Sequence, residues 1–179
     1  MTIYLIRHGK TAANERSLYC GRTDLPLSQL GAAELADIRH SVGNVRFLTS
    51  GMKRANETME LLFPGVPYET DPRFREVDFG AFELQSYEDL KDRADYQQWL
   101  TGDNEANVPP NGESGKQMTA RVLAAFSELR EDTCLVTHGG VIAAIMASCF
   151  PQEGKHRYQW QPKNGSGWVL DEEGYRALT

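Results

Sequence analysis

An α/β fold is what this 179-residue sequence predicts, on three observations. Two apolar, β-branched runs, Thr2 to Ile6 and Thr133 to Thr137, read as buried strands, and each leads into a histidine followed by glycine. Apolar stripes at helical spacing alternate with further short β-rich runs along the chain. The length suits one substantial core and is short for two, and no repeat, low-complexity tract or linker interrupts it. Residues 1–179 are therefore expected to form a single domain.

The first strand ends abruptly in Arg7-His8-Gly9. Glycine lets the backbone turn at the strand's carboxyl end, which is where open α/β sheets place their ligands. An imidazole fixed there beside a guanidinium has the parts for phosphate chemistry, because Arg grips phosphoryl oxygens in a fork and His serves as nucleophile or proton carrier. The polar connection from Gly9 to Pro26 is long for a structureless loop, and such loops are usually functional. Ser28 then caps a helix expected to reach about Val42, with Ala32, Leu35, Ile38 and Val42 on its apolar face. His40 lies off that stripe and is expected at the solvated surface.

Val45 to Ser50 reads as the second strand and Met52 to Phe63 as a helix that buries Ala55, Met59 and Leu62. Arg54 stands in the first turn of this helix, where a cation opposes the helix dipole. A bound phosphate would satisfy both dipole and Arg, and the plain alternative is an exposed, solvated arginine. Pro64 and Pro67 end the helix, and Tyr68 to Thr70 gives a short strand. Phe74 to Glu83 mixes aromatics with carboxylates and has no period. Either Glu76 or Glu83, partly desolvated among Phe74, Phe79 and Phe82, could serve as a general acid. The stretch reads equally as an acidic surface loop with an aromatic anchor.

Ser86 to Leu100 suggests a polar, acid-rich helix, and Thr101 to Gly112 a loop holding Pro109 and Pro110. Residues 84–112 are thus expected to form a lid-like excursion. Ser114-x-x-Gln117 is a capping box opening a helix to about Arg130, with Met118, Val122, Ala125 and Leu129 buried. The strand at 133–137 and His138-Gly139-Gly140 then repeat the opening design, before a helix from Val141 to Phe150 whose first N–H groups could bind an anion. Two strand-end histidines followed by glycine in one small domain point to function. Beyond lie a basic aromatic patch, Lys155 to Trp160, with His156 on a loop surface, and two strands, Gly167 to Asp171 and Tyr175 to Leu178.

A net charge of -6 and a pI near 5.3 argue against nucleic-acid and anionic-membrane partners. Locally the sign reverses: Arg7, Lys10, Arg16 and Arg22 fall within the first 22 residues, where Glu15 is the only acid. No apolar run approaches a membrane span and no charged leader precedes the first strand, so a cytoplasmic location is expected. Cys20, Cys134 and Cys149 are odd in number and lack metal-like spacing, as suits reduced thiols. The sequence sets no oligomeric state.

Taken together, these stretches closely resemble the histidine phosphatase superfamily, which holds the cofactor-dependent phosphoglycerate mutases and their phosphatase relatives. The resemblance is carried by Leu5-Ile6-Arg7-His8-Gly9-x-Thr11 with Asn14, Tyr19-x-Gly21-x-x-Asp24-x-Pro26-Leu27, and Ser50-x-x-x-Arg54-Ala55-x-x-Thr58. It continues through Arg75-Glu76-x-x-Phe79-Gly80-x-x-Glu83, Pro110-x-Gly112-Glu113-Ser114 and Thr137-His138-Gly139-Gly140. These motifs cover almost the whole chain.

The resemblance implies a three-layer α/β/α sandwich with a largely parallel central sheet, like that of the phosphoglycerate mutases. By motif position it makes His8 the nucleophile that becomes phosphorylated. Arg7, Arg54 and a protonated His138 would hold the phosphoryl group, and Glu76 would donate the proton to the leaving oxygen. Gly9, Asn14, Gly21, Glu83 and Gly139 would border the substrate, with Glu83 a supporting acid. The implied reaction is hydrolysis of a small phosphate monoester with no metal and no cofactor, most like the branch holding α-ribazole phosphatase and broad-specificity phosphatases. A phosphoglycerate mutase and a non-catalytic phospho-ligand binder are the alternatives. Departures from the pattern are Lys10 where Glu is usual, Gly51 where Pro is usual, and Phe82-Glu83-Leu84 where Trp-Glu-Gly is common. Lys10 is expected to add a cation near the pocket.

Overall fold

A computed structural model describes residues 1–178. Its strands are β1 (Ile3–Arg7), β2 (Arg46–Thr49), β3 (Glu69–Thr70), β4 (Thr133–Thr137), β5 (Gly167–Asp171) and β6 (Gly174–Leu178). They form one six-stranded sheet among the described residues, in the order β3-β2-β4-β1-β5-β6. The four strands from β3 to β1 run parallel, whereas β5 and β6 form an antiparallel hairpin against β1. Ile3 of β1 lies opposite Thr133 of β4 and Arg7 opposite Thr137, so His8 and His138 leave the sheet side by side at its carboxyl edge.

The pleat sends alternate side chains to opposite faces. Ile3, Leu5 and Leu135 face the helices α6 (Gly115–Ser127) and α7 (Gly139–Cys149), while Ile6, Cys134 and Val136 face α3 (Lys53–Leu62). This is the expected three-layer α/β sandwich. Residues Gly139 to Met146 of α7 are all buried, as a helix apolar on every side must be. The start of α6 is the expected capping box: Ser114 Oγ accepts from Gln117 N at 3.1 Å, and Gln117 Oε1 accepts from Ser114 N at 2.9 Å.

Three helical expectations change. The long connection after β1 contains a short helix, α1 (Ala12–Glu15), capped reciprocally by Thr11 and Asn14. Helix α2 (Gln29–Ala36) stops well before Val42. Beyond it the chain carries His40 onto the turn before β5, where His40 Nε2 donates to Gly165 O at 2.8 Å, so His40 is docked there and half-buried. The segment from Ser86 to Leu100 is two short helices, α4 (Tyr87–Leu90) and α5 (Ala94–Leu100). This excursion has its own small core of Phe82, Leu90 and Tyr96, packed with Tyr19, Phe79 and Trp99. Among the described residues the three cysteines are free, and no helix is long and apolar enough to cross a membrane.

Candidate active site

At the carboxyl ends of β1 and β4 the rings of His8 and His138 lie edge to face, 5.2 Å between centroids. His8 is 5% exposed and His138 fully buried. His8 Nδ1 is 2.6 Å from Gly9 O, and a carbonyl only accepts, so Nδ1 carries the proton. Nε2 is left as the bare lone pair. Burial, reinforced by the charges of Arg54 and Arg7, holds His8 well below the usual histidine value of 6.5, against the opposing Gly9 hydrogen bond. The ring is a neutral imidazole.

His138 is also neutral, a correction to the imidazolium expected. Arg54 Nε donates to His138 Nδ1 at 3.3 Å, so Nδ1 must accept, and the proton sits on Nε2, which donates to Ser50 Oγ at 2.8 Å. Burial and the neighbouring Arg54 hold its pKa well below 6.5, with His8, Arg121 and Arg7 adding to the effect.

Arg54 is buried, 1% exposed, so the solvated alternative does not hold. Its Nη1 donates to Thr23 O at 2.9 Å and its Nη2 to Gly21 O at 2.8 Å, leaving one N–H on each without a protein acceptor. Helix α3, which carries it, begins where Lys53 N donates to Asp24 Oδ1 at 2.8 Å. Arg7 Nη1 donates to Pro162 O at 2.9 Å, and its Nε is buried without a partner. Burial lowers the Arg7 pKa and Glu76 opposes that shift. Two guanidinium groups with unused donors thus lie near enough to His8 for their charges to act on its ring, an arrangement that attracts a phosphoryl dianion.

The turn preceding β5 clamps the nucleophile from behind. Asn164 Nδ2 donates to His8 O and Gly165 N to Arg7 O, each at 2.9 Å.

Glu76 reaches the same cluster from the loop after β3. Its Oε2 accepts from Gly140 N at 2.9 Å and its Oε1 from Val77 N at 3.0 Å. The anion at the start of α7 is therefore a carboxylate of the protein itself. The paired glycines allow close approach: a Cβ on Gly139 would lie 3.2 Å from Arg7 Cζ and crowd it slightly, and one on Gly140 would lie only 2.3 Å from Glu76 Oε1, so the carboxyl would have to shift.

The remaining expected substrate contacts are placed as supports. Gly9 N donates to Thr58 Oγ1 at 2.9 Å, so Gly9 lies behind His8 with both backbone groups used. Gly21 donates to Glu83 and accepts from Arg54. Glu83 accepts from the backbone N–H of Gly21, Arg22, Thr23 and Phe79 and from the Thr23 hydroxyl, which makes it the anchor of the 21–23 loop. Asn14 Oδ1 is taken by the Thr11 N–H and hydroxyl, as the cap of α1. Lys10 does not add its charge to the pocket, because it pairs with Glu34 at 2.7 Å.

A cavity of about 260 Å³ opens beside Glu76 and Gly140, walled by Tyr19, Phe79, Trp99 and Tyr158. Arg157 and Glu105, also in its wall, form an ion pair joining the excursion to the segment before Trp160. The sequence reading missed Trp99, Arg157 and Tyr158, which sit in stretches with no motif. His156 lies exposed, stacked on Tyr158 at 5.3 Å.

Comparison with known proteins agrees with this geometry. The profile of the histidine phosphatase superfamily (branch 1) matches residues 3–178. The adenosylcobalamin/alpha-ribazole phosphatase of Salmonella typhimurium is 31% identical over 193 residues, covering 99% of this chain and 94% of that protein. A "Probable phosphoglycerate mutase GpmB" from an Enterobacter species is 28% identical over 97% of this chain and 93% of its own length. The crystal structure of phosphoglycerate mutase from Thermus thermophilus superimposes with a TM-score of 0.80 at 31% identity, covering 100% of this chain and 97% of that one. The chain belongs to the histidine phosphatase superfamily.

Proposed function

We propose that this member of the superfamily is a metal-independent phosphomonoesterase that works through a phosphohistidine on His8. The observation that carries the reading is the tautomer of His8: Nδ1–H is tied to Gly9 O, and Nε2 is bare beside the unused donors of Arg7 and Arg54. Phosphoryl transfer needs alignment and stabilisation of charge on the equatorial oxygens, and two guanidinium groups supply both. Nε2 attacks phosphorus as the bond to the alcohol oxygen breaks, and the Glu76 carboxyl gives that oxygen its proton. Water then attacks the phosphohistidine, Glu76 takes a proton from it, and the Nε2–P bond breaks to release phosphate. The charge stabilisation is assigned to the guanidinium groups of Arg7 and Arg54, which carry donors the protein leaves unused.

Within this class we assign α-ribazole 5'-phosphate, or a monoester of similar shape, as the substrate. The similarity to the Salmonella phosphatase supports it, as does an aromatic-walled cavity next to the proposed proton donor. That wall carries Glu76, Glu105 and Glu113 against one cation, Arg157, which suits a neutral alcohol better than the carboxylate of phosphoglycerate. A small phosphate ester is the only partner proposed, and a cytoplasmic site of action goes with it.

The test is phosphate release across α-ribazole phosphate, sugar phosphates, phosphoglycerates and phosphopeptides, with acid-labile labelling of the protein by the best substrate. His8→Ala should lose both turnover and label. Efficient transfer between the positions of phosphoglycerate with little hydrolysis would make the protein a mutase, and phosphate binding without turnover would make it a binding module.

A further inference from the structure

We propose that Arg121, on α6, is the positioning residue for the Glu76 carboxyl, an inference that rests on Glu76 being the proton donor. Glu76 lies within residues 75–79, which form neither helix nor strand, so the carbonyls around it need partners from elsewhere. Phe74 O accepts from Thr137 Oγ1 at 2.7 Å. The carbonyls of Arg73, Arg75 and Glu76 all accept from Arg121, at 2.8, 2.7 and 3.1 Å.

A guanidinium has five N–H donors, and the other two of Arg121 go to Glu113. Nε donates to Oε1 at 2.7 Å and Nη2 to Oε2 at 2.8 Å. Glu113 then holds the far side of the segment: its N donates to Asp78 O at 2.8 Å, and its Oε2 accepts from Asp78 N at 3.4 Å. Every donor of one side chain is thus committed to the loop that carries Glu76 or to the carboxylate that brackets it. Neither residue hydrogen-bonds His8, Arg7, Arg54 or His138; Arg121 reaches His138 through its charge alone, which lysine keeps, and its hydrogen bonds bear on the chemistry through the loop that carries Glu76. Lysine cannot replace this arginine, because a point charge with three donors lacks the planar fork.

A merely structural arginine, when replaced, depresses turnover of every substrate alike. One that aims the acid leaves a different mark. An alkyl alcohol needs its proton as the ester bond breaks, whereas nitrophenolate leaves without one, so misplacing Glu76 harms alkyl phosphates selectively. The experiment compares R121K, E113Q and E76Q in the full chain on glycerol 2-phosphate and 4-nitrophenyl phosphate. R121K should lose roughly a hundredfold in kcat/KM on the alkyl ester and less than about threefold on the aryl ester, since kcat/KM reads the alcohol-releasing step and not the later hydrolysis of the phosphohistidine that both esters share. E113Q should show the same selectivity at roughly tenfold, and it decides the matter if R121K does not fold. A selective loss in E76Q together with equal losses, or none, in R121K and E113Q overturns the positioning role alone. An E76Q variant without selectivity overturns the assignment of Glu76 as the acid, and the positioning role with it.

Discussion

Gly140 and Glu76 are in such close contact that no side-chain carbon fits between them. The glycine N–H donates to Oε2 at 2.9 Å, and a Cβ there would stand 2.3 Å from Oε1. Gly140→Ala should therefore displace the carboxyl, even though alanine is the better helix former. The expected outcome is a loss of about a hundredfold on alkyl phosphates and little loss on nitrophenyl phosphate, read as kcat/KM. Equal rates of variant and parent on alkyl esters would show that the carboxyl tolerates the shift.

Glu76 and Glu83 are separable by the same comparison. Glu76→Gln should lose a hundred- to ten-thousand-fold, in round terms, on alkyl esters and far less on nitrophenyl phosphate. Glu83→Gln cannot satisfy all the N–H groups that converge on the carboxylate, so the 21–23 loop loosens. Arg54, held by the carbonyls of Gly21 and Thr23, loosens with it. Both substrates should then fall together.

The two histidines give a pH signature. Both are held neutral in the fold, well below the 6.5 they have when unfolded. Below pH 6.5 the unfolded chain takes up protons that the native site refuses, so stability should be full above that pH and fall as pH drops toward the folded values. Urea midpoints measured from pH 8 to 5 check this, and the double variant His8→Gln/His138→Gln should flatten the slope between pH 6.5 and 5. Inorganic phosphate should act oppositely, since a dianion between the rings favours the imidazolium of His138. Imidazole nitrogen shifts would report that proton.

Leu84 stands in the left-handed region of backbone space, with a φ of +59°. A leucine in that left-handed region costs about 1–2 kcal/mol. Glycine removes the strain but adds roughly 0.5–1 kcal/mol of chain entropy to the folding cost. Leu84 is 43% exposed, so little burial is lost. Leu84→Gly should stabilise the protein by up to about 1 kcal/mol in a denaturation curve. A destabilised variant would show that Leu84 packs more than its exposure implies.

Strand ends, glycines and a misplaced cation made His8, His138 and Arg54 legible in the sequence, because each breaks a local rule that only a ligand or a neighbour repairs. The layered fold followed from the alternation of strands and helices. What sequence did not reveal is set by distant partners. Past the early end of α2, His40 docks on Gly165, 125 residues away. Glu83 reads as a candidate acid until its donors, some 60 residues earlier, are in place. Arg121 looks like any charge on an amphipathic helix, and only the fold brings the carbonyls of Arg73, Arg75 and Glu76 to it.

The clamp behind His8 has a consequence for how the protein comes into being. Asn164 holds the carbonyl of a residue made 156 positions earlier, and Pro162 holds an arginine made 155 positions earlier. A ribosome that has translated through α7 has already delivered both histidines, Arg54 and Glu76, yet β1 still lacks β5 along one edge. Contacts of such long sequence separation form late in folding. The nascent protein therefore carries its chemical groups without a working arrangement of them, and the phosphate pocket and the finished sheet arrive in one step.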